Sequence, residues 1–298
     1  MKLGTRGSPL AQWQAEWVRD RLAESGVKSE LVVIKTQGDA DVDRPLHELE
    51  GTGFFTKAIE DALLDGRIDA AVHSLKDLPL DLPEGLRIGA IPVRHDARDA
   101  LVNGTSLQDL PPGTRVGTSS TRRIAQLRFL RPDLDVVPLR GNVNTRVQKV
   151  ESRDGLDAAI LAVAGLARLG LGGKGSPIDP LDIMPAPGQG ALAIEIRKDD
   201  GPTWEAVWEL GDERAESDVD EERMLLAGFH AGCQASVGAW AGQIDPATPR
   251  RLYGRVTARD GSVQCTASAE IDDSTPGKAG ATVWELLDRE GASILLAR

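Results

Sequence analysis

The chain alternates short apolar runs with segments of helical periodicity, and this rhythm constrains its fold more than any other feature. Residues 2–6 predict a strand, and residues 30–35 predict a second one. Ser8 and Pro9 between them are typical of a helix N-cap and first helical position, and Gly26 predicts the end of that helix. Repeated β-α-β units of this kind predict a mostly parallel sheet with right-handed crossovers.

A second series of the same kind occupies the middle of the chain, from residue 114 to residue 162. Pro- and Gly-rich stretches around Pro92 and at residues 185–190 predict two crossings between two α/β lobes. Residues 191–197 predict a strand that returns to the first sheet. Because open α/β sheets bind ligands beyond the carboxyl ends of their strands, we expect a binding cleft between the lobes.

The last part of the chain has a different pattern, which predicts a small α+β domain. A helix is predicted over residues 217–231, followed by three β-like runs and a helix near residues 280–290. The predicted domains are residues 1–92 with 191–212, residues 93–190, and residues 213–298. The predicted fold class is therefore α/β with two lobes and an α+β C-terminal domain.

Composition excludes several classes of function. The 298 residues carry a formal net charge of −11, whereas nucleic acids and acidic membranes attract basic surfaces. No run approaches the ~20 apolar residues that span a bilayer, and the N-terminus lacks the apolar segment of a signal peptide. Two cysteines are too few for a disulfide framework. We therefore expect a cytoplasmic protein that binds neither nucleic acid nor membrane.

The charge is unevenly distributed along the chain. From Arg115 to Lys149 there are eight basic and two acidic residues, so this segment carries +6 and the remainder −17. Such a basic segment in an acidic protein indicates a site for an anionic small molecule. A solvated face with counter-charges nearby is the alternative, and charge alone favours that alternative.

Polar and basic side chains gather where predicted strands meet predicted helices. They are Arg6, Ser8, Thr118, Ser119, Ser120, Arg122, Arg123, Arg140 and Arg146. Free backbone N–H groups at a helix start, hydroxyls and guanidiniums together bind anions, and arginine pairs with carboxylates through two parallel hydrogen bonds. No phosphate-binding loop follows residues 51–55, and the histidines have no metal-ligand spacing, so carboxylates are the expected ligands and no metal is expected.

Two further features leave their interpretation open. Asp77 follows a predicted strand and could act in a cleft, although a turn-forming Asp two residues before Pro79 is the simpler explanation. Residues 38–53 are polar, Gly-rich and unpatterned, which is typical either of a functional lid or of disorder.

Seven sequence blocks resemble the signature blocks of the hydroxymethylbilane synthase (porphobilinogen deaminase) family, in the same order and at similar spacing. The blocks are residues 5–14, 72–79, 117–123, 139–146, 161–171, 185–195 and 231–238. The resemblance implies two lobes like those of periplasmic binding proteins plus a small third domain. It also implies head-to-tail condensation of four porphobilinogen molecules with release of ammonia, followed by hydrolytic release of linear hydroxymethylbilane.

The resemblance assigns roles to individual residues. Asp77 matches the catalytic aspartate, and Cys233 matches the cysteine that holds a dipyrromethane cofactor through a thioether. The other matched cofactor-binding residues are Ser8, Lys76, Thr118, Ser119, Ser120, Arg122, Arg123 and Arg140. The matched substrate-binding residues are Arg6, Arg146, Arg168, Gln14, Phe55 and Gln189, of which Phe55 is more often a core residue in proteins at large. A monomer is expected from the family.

The expected chemistry agrees with these residue types. Every pyrrole unit carries an acetate and a propionate, so a growing chain of rings requires many cationic partners. The residues Thr52, Ala58, Ala167 and Ala231 depart from the family pattern, and we expect these departures to affect lid contacts and rate. A two-lobed carboxylate-binding or sensor protein is the alternative function, but it gives Asp77 and Cys233 no joint role.

Overall fold

The computed structural model of the chain describes residues 1–36, 56–103, 106–230 and 235–296. Contacts divide the chain into two compact units. Unit 1 is Met1–His95 with Gly190–Glu216, and unit 2 is Asp96–Gln189 with Ser217–Arg298. The division into three domains, with residues 213–298 as a separate one, stays a prediction.

The described residues form strands and helices in regular alternation over most of the chain. The strands are β1 (Lys2–Arg6), β2 (Glu30–Ile34), β3 (Ala70–Ser74), β4 (Leu86–Ala90), β5 (Asp99–Val102), β6 (Arg115–Gly117), β7 (Asp135–Val137), β8 (Ala158–Ala162), β9 (Gly175–Pro177), β10 (Leu192–Arg197), β11 (Val237–Gly242), β12 (Arg251–Thr257) and β13 (Gln264–Glu270). The α-helices are α1 (Pro9–Glu24), α2 (Lys57–Leu64), α3 (Thr121–Leu130), α4 (Val143–Glu151), α5 (Val163–Arg168), α6 (Gly201–Trp208), α7 (Glu213–Gly228), α8 (Lys278–Arg289) and α9 (Ala292–Leu296).

Unit 1 is built on a five-stranded sheet with the order β2-β1-β3-β10-β4. Strand β1 is parallel to β2 and β3, whereas β10 is antiparallel to both of its neighbours. Leu3 lies opposite Ala70, and Ala193 lies opposite His73. The strand predicted to return to the first sheet is therefore β10, which lies at the interior of that sheet.

Unit 2 contains a second five-stranded sheet with the order β7-β6-β8-β5-β9. Here β6 is parallel to β7 and β8, and β5 is antiparallel to β8 and β9. Both sheets thus have the same arrangement: three parallel strands, then one strand antiparallel to them, then an edge strand antiparallel to that one. The predicted α/β fold class with two similar lobes is confirmed.

The C-terminal part of unit 2 holds the predicted three-stranded meander, β11-β12-β13, with antiparallel neighbours. Helix α8 packs on β12 and β13. A Cβ at Gly254 would lie 2.5 Å from Val283 Cγ1 and 2.6 Å from Leu225 Cδ2, so only glycine permits this close approach of β12 to the helices. The α+β character predicted for this segment is confirmed.

Alternate residues of β3 face two different helices, and this arrangement positions the site described below. Val72 packs in a cluster with Val18 of α1, and Ala71 packs in a cluster with Ile59 of α2. Because successive side chains of a strand point to opposite faces, His73 shares the α2 face with Ala71. The carboxyl end of β3 therefore emerges between two helix-covered faces.

Several elements were absent from the sequence prediction. Strands β4, β5 and β9 and the short helices α5 and α6 are additional, and α7 starts at Glu213 instead of residue 217. Strands β5 and β9, of four and three residues, are too short for a periodic pattern to identify them. Among the described residues, no helix is long and apolar enough to cross a membrane.

Candidate functional site

Unit 1 contains a cavity of about 60 Å³ at the carboxyl end of its sheet. Its lining residues are Arg6, Ser8, Leu10, Ala11, Gln14, Thr56, Val72, His73, Ser74 and Asp77. Four residues singled out from the sequence, Arg6, Ser8, Gln14 and Asp77, thus meet at one place. The parallel arrangement of β1 and β3 explains this, because the carboxyl ends of parallel strands lie at the same edge of a sheet.

Local hydrogen bonds fix the β1–α1 side of this cavity. Arg6 is the last residue of β1. The Ser8 hydroxyl caps α1, accepting from the backbone N–H of Ala11 at 3.3 Å, with Pro9 directly after it. Gln14 is buried, and its side-chain Nε2 donates to Ser74 Oγ at 2.8 Å. This bond joins α1 to the end of β3.

Asp77 lies at the cavity rim on a 3₁₀-helix, Leu75–Asp77, that directly follows β3. The backbone N–H of Leu75 donates to the Ala191 carbonyl at 3.1 Å, which holds the start of the turn against β10. Lys76 is half-buried in the same turn, and the Asp77 side chain is exposed. A carboxylate in this place is accessible to a ligand while its backbone is fixed by the sheet.

Below the cavity, the α2 face of the sheet carries buried ionisable residues that the sequence analysis did not identify. His73 Nε2 lies 3.1 Å from Glu195 Oε2. Glu60, on the first turn of α2, is also buried. Their adjacency depends on the antiparallel pairing of β10 with β3, which no local pattern in the sequence indicates.

In unit 2, the hydroxyl residues before α3 are held by the neighbouring strand region. Ser119 Oγ donates to the Leu139 carbonyl at 2.9 Å and accepts from the Leu139 N–H at 3.0 Å. Thr118 Oγ1 accepts from the Ser120 N–H at 3.2 Å. Ser120 is the N-cap residue of α3, and its side chain makes no capping hydrogen bond. The three hydroxyl residues therefore differ in role: Thr118 and Ser119 bond to backbone groups, whereas Ser120 occupies the N-cap position without a capping bond.

Two predicted binding arginines, Arg122 and Arg123, converge on Asp99 at the start of β5. Arg123 Nη2 lies 2.6 Å from Asp99 Oδ1, and Arg122 Nη2 lies 2.9 Å from Asp99 Oδ2. Arg122 also donates to the Met184 carbonyl, and Gln189 Nε2 donates to Asp99 Oδ1 at 2.8 Å. All three partners of Asp99 are nearly fully buried, so the structure places them in an internal network.

Arg140 and Arg146 flank a turn that caps α4. Asn142 accepts from the Thr145 N–H at 2.9 Å, and Gly141 has φ of 110°, a conformation that favours glycine. Arg146 Nε donates to the Gly141 carbonyl at 2.8 Å. Burial, followed by repulsion from Arg123 and Arg140, lowers the pKa of Arg146 to about 10. Three guanidiniums therefore lie close together with a positive potential that an anion would relieve.

Comparison with known proteins identifies the family. Residues 1–205 match the family described as porphobilinogen deaminase, dipyromethane cofactor binding domain. The chain belongs to the porphobilinogen deaminase family.

Members of this family align with nearly the whole chain. The porphobilinogen deaminase of Syntrophobacter fumaroxidans is 44% identical over 99% of this chain and 96% of its own length. That of Moorella thermoacetica is 45% identical over 99% and 95%, respectively. That of Mycolicibacterium paratuberculosis is 46% identical over 94% and 90%.

Solved structures resemble the chain more weakly than these relatives do. The methionine binding protein MetQ superposes with a TM-score of 0.43 at 16% identity, covering 70% of this chain and 89% of that chain. Immunogenic lipoprotein A from Vibrio vulnificus superposes with a TM-score of 0.44 at 15% identity, covering 73% and 97%.

The other positions matched to the family lie partly inside and partly outside the described residues. Arg168 ends α5 and is buried, and burial lowers its pKa to about 10. Gln189 donates to the Ala97 carbonyl at 2.7 Å in addition to its bond with Asp99. Phe55, Cys233 and residues 38–53, with the departures at Thr52 and Ala231, lie outside the described residues. Within the described part, no cluster of His, Cys, Asp or Glu has the size of a metal site.

Sequence reasoning missed the acidic partners of this porphobilinogen deaminase family member. Asp99, Glu60 and Glu195 are buried beside basic or imidazole groups, and none lies in a block chosen for its charge. The one available signal was position, because Glu195 is the last residue of the block at 185–195 and interrupts an apolar strand. An acid within a strand that is otherwise buried requires a partner.

Proposed function

We propose that this chain is a hydroxymethylbilane synthase. It condenses four porphobilinogen molecules head to tail, releases one ammonia from each, and then releases linear hydroxymethylbilane by hydrolysis. A dipyrromethane cofactor attached to Cys233 is the primer. Family membership over nearly the full chain supports the reaction, and the residues described above support the ligand chemistry.

The arginine group of Arg123, Arg140 and Arg146 is the observation that carries the proposal. The pKa of Arg146 is lowered by burial and by the two neighbouring guanidiniums. Within the described residues, the buried Nη2 atom of Arg140 has no hydrogen-bond partner. Clustered arginines with unused donors fit the acetate and propionate groups of a dipyrromethane or a substrate ring, because carboxylates pair with guanidiniums through two hydrogen bonds.

The proposed roles follow from the placement of each group. In this proposal, carboxylates are bound by Arg140, Arg146, Arg168, Ser120 and Lys76. Carboxylates that lie beside Asp77 are bound by Arg6 and Ser8. When bound, the dipyrromethane supplies the pyrrole carbon to which the first substrate ring is joined. Asp77 accepts hydrogen bonds from pyrrole N–H groups and stabilises positive charge that develops on a ring.

The remaining matched residues act more indirectly in this proposal. Arg122, Arg123 and Gln189 are held by Asp99, so they present fixed donors to carboxylate ligands. Thr118 and Ser119 shape the start of α3, and Gln14 holds the end of β3. Phe55 is proposed to contact a ring by stacking. The carboxylate-binding or sensor function without catalysis is not favoured, because the family acts on porphobilinogen.

Intact-protein mass spectrometry tests the proposal, with Cys233→Ser as the matched control. We expect the purified protein to exceed its sequence mass by two porphobilinogen units less two ammonias, and the Ser variant to show no excess. If the excess is absent, porphobilinogen is added and the measurement repeated. Failure to form the adduct and failure to release ammonia after that addition would exclude the proposed function.

Three secondary proposals concern the whole protein. We propose that it is a monomer in the cytoplasm and that residues 213–298 form a separate domain carrying Cys233. Light scattering coupled to gel filtration tests the monomer, and cell fractionation tests the location. Limited proteolysis that cuts near residue 213 would support the domain boundary.

A further inference from the structure

Three buried ionisable groups lie directly beneath the Asp77 cavity. His73 is 5% exposed, Glu60 is 6% exposed and Glu195 is 0% exposed. His73 lines the cavity together with Asp77, and its Nε2 atom lies 3.1 Å from Glu195 Oε2. Glu60 reaches the same place from α2.

The environment of Glu60 disfavours the ionised form of its carboxyl group. Burial is the largest cause that raises the pKa of Glu60. Thr56 opposes it, the charge of Glu195 raises the pKa further, and His73 has a smaller lowering effect. Within the described residues, Glu60 Oε1 and Glu195 Oε1 have no hydrogen-bond partner. Repulsion between buried carboxylates makes ionisation of Glu60 beside Glu195 costly.

The proposed condensation requires a group that gives up and regains one proton. In each cycle the substrate C–N bond breaks, and its electron pair goes to nitrogen, which takes up a proton to leave as ammonia. A C–C bond forms, and the ring carbon that has been joined loses one proton. The two proton transfers balance, so a single acid–base group near the reacting atoms suffices for both.

We propose that His73 is this proton-transfer group, with Glu195 as the residue that positions its ring and Glu60 as the buried carboxyl that retains a shared proton. The inference rests on the proposed function. His73 supplies a proton to the departing amine nitrogen and recovers one from the ring carbon. Asp77, at the rim of the same cavity, holds the pyrrole N–H groups and stabilises the ring.

The charged groups around His73 come from four elements. Glu195 on β10 and Glu60 on α2 lie behind it. Arg6 at the end of β1 and Asp77 on the 3₁₀-helix share the cavity with it. An imidazolium at this place would therefore have carboxylates behind it and at the rim, and the Arg6 guanidinium lines the same cavity.

Steady-state kinetics of His73→Asn and Glu195→Gln, across a range of pH, tests the proposal. The control is Glu16→Gln, which removes an exposed charge from α1 in the same unit. We expect kcat of His73→Asn to fall by about 100-fold with KM little changed, because general acid–base catalysis contributes at least that factor. We also expect the pH profile of His73→Asn to lack the limb on which kcat falls as pH rises.

Glu195→Gln separates a chemical role from a structural one. Its amide oxygen can still accept from His73, so the fold and the ring position are retained while the charge is removed. We expect a smaller fall in kcat and a shifted pH profile at an unchanged thermal midpoint. If His73→Asn folds poorly, the kinetics of Glu195→Gln alone test the proposal. An unchanged kcat and pH profile in correctly folded protein would overturn the proposal.

Infrared spectroscopy provides a readout that does not require the loaded enzyme. In the Cys233→Ser background at neutral pH, we expect the band of a protonated carboxyl group, which disappears in Glu60→Gln and persists in Glu16→Gln. Absence of the band would overturn the shared-proton part of the inference. If unaltered protein forms no tetrapyrrole, the proposed function itself fails, and the kinetic control distinguishes that result from a failure of His73 alone.

Discussion

Asp99 and Arg123 form a buried ion pair, with 2.6 Å between Asp99 Oδ1 and Arg123 Nη2. The Asp99 side chain is completely buried, and its second oxygen lies 2.9 Å from Arg122 Nη2. Despite the opposing effect of burial, these arginines hold the pKa of Asp99 well below its usual range. The free energy of folding therefore depends on this carboxylate being ionised.

Asp99→Asn should lower the free energy of unfolding by about 3–5 kcal/mol, because removal of one partner leaves buried charges uncompensated. Urea denaturation at pH 7 measures this loss. The stabilisation by Asp99 is complete above the usual aspartate pKa and is lost as pH falls through its lowered folded-state pKa. The difference between the two proteins should therefore be constant from neutral pH down to about pH 5.

The control for this prediction is Asp135→Asn, in the exposed pair with Arg115. An exposed pair contributes about 0–1 kcal/mol, so this control should change the free energy of unfolding very little. Equal losses in the two variants would contradict the role assigned to Asp99.

Glu222→Gln should destabilise unit 2 by about 1–3 kcal/mol, the cost of a buried donor left without an acceptor. The fully buried Glu222 accepts from Gly188 N–H at 2.7 Å and from Ala241 N–H at 2.8 Å through its two oxygens. A glutamine offers one oxygen and would direct its NH₂ group at the other N–H. Chemical denaturation measures the effect, and Glu285→Gln on the exposed face of α8 should be neutral.

Arg146→Gln should weaken ligand binding without weakening the fold. The lowered pKa of Arg146 means that the folded state disfavours its charge at neutral pH, so the substitution relieves repulsion with Arg123 and Arg140. We expect a higher KM for porphobilinogen and a thermal midpoint that is not lower. Arg115→Gln, at an exposed position, is the control for both measurements. A large fall in the midpoint would show that Arg146 has a structural role instead.

Glu60→Gln should become relatively more stable as pH rises. The pKa of Glu60 is raised, chiefly by burial, so ionisation in the folded state carries a cost that grows as pH increases through that pKa. Glutamine avoids this cost, whereas at acidic pH both side chains are neutral. Thermal midpoints of the two proteins measured from pH 4.5 to 9 check this trend, and a constant difference would argue against it.

Asp77→Ala should abolish formation of tetrapyrrole, with a loss of at least about 100-fold, while binding of a carboxylate ligand persists. Asp77 lines the cavity in unit 1, whereas the arginine group of unit 2 remains intact. Ammonia release and ligand binding are measured in parallel. Asp81→Ala, exposed in the same unit, should retain activity, and substantial activity in Asp77→Ala would remove Asp77 from the proposed chemistry.

Much of the fold follows from local patterns. Ser8 and Pro9 start α1 because a hydroxyl cap and a preset φ suit the first turn, and the apolar spacing of residues such as Val18 and Leu22 buries one helix face. The strands at residues 2–6 and 192–197 are recognisable from the same kind of local information. Strand order and direction are not, since β10 enters the sheet beside β3 only through long-range pairing.

For the candidate site too, some features can be read from the sequence and others only from the tertiary structure. The sequence by itself determined which residue types are available, because Asp77, Cys233 and the arginines lie in recognisable blocks. Only the tertiary structure decided which of them meet. Asp99 engages Arg122 and Arg123, and Glu195 engages His73, across separations of 23 to 122 residues. Burial and charge compensation act between groups that are close in space, so no local pattern records them.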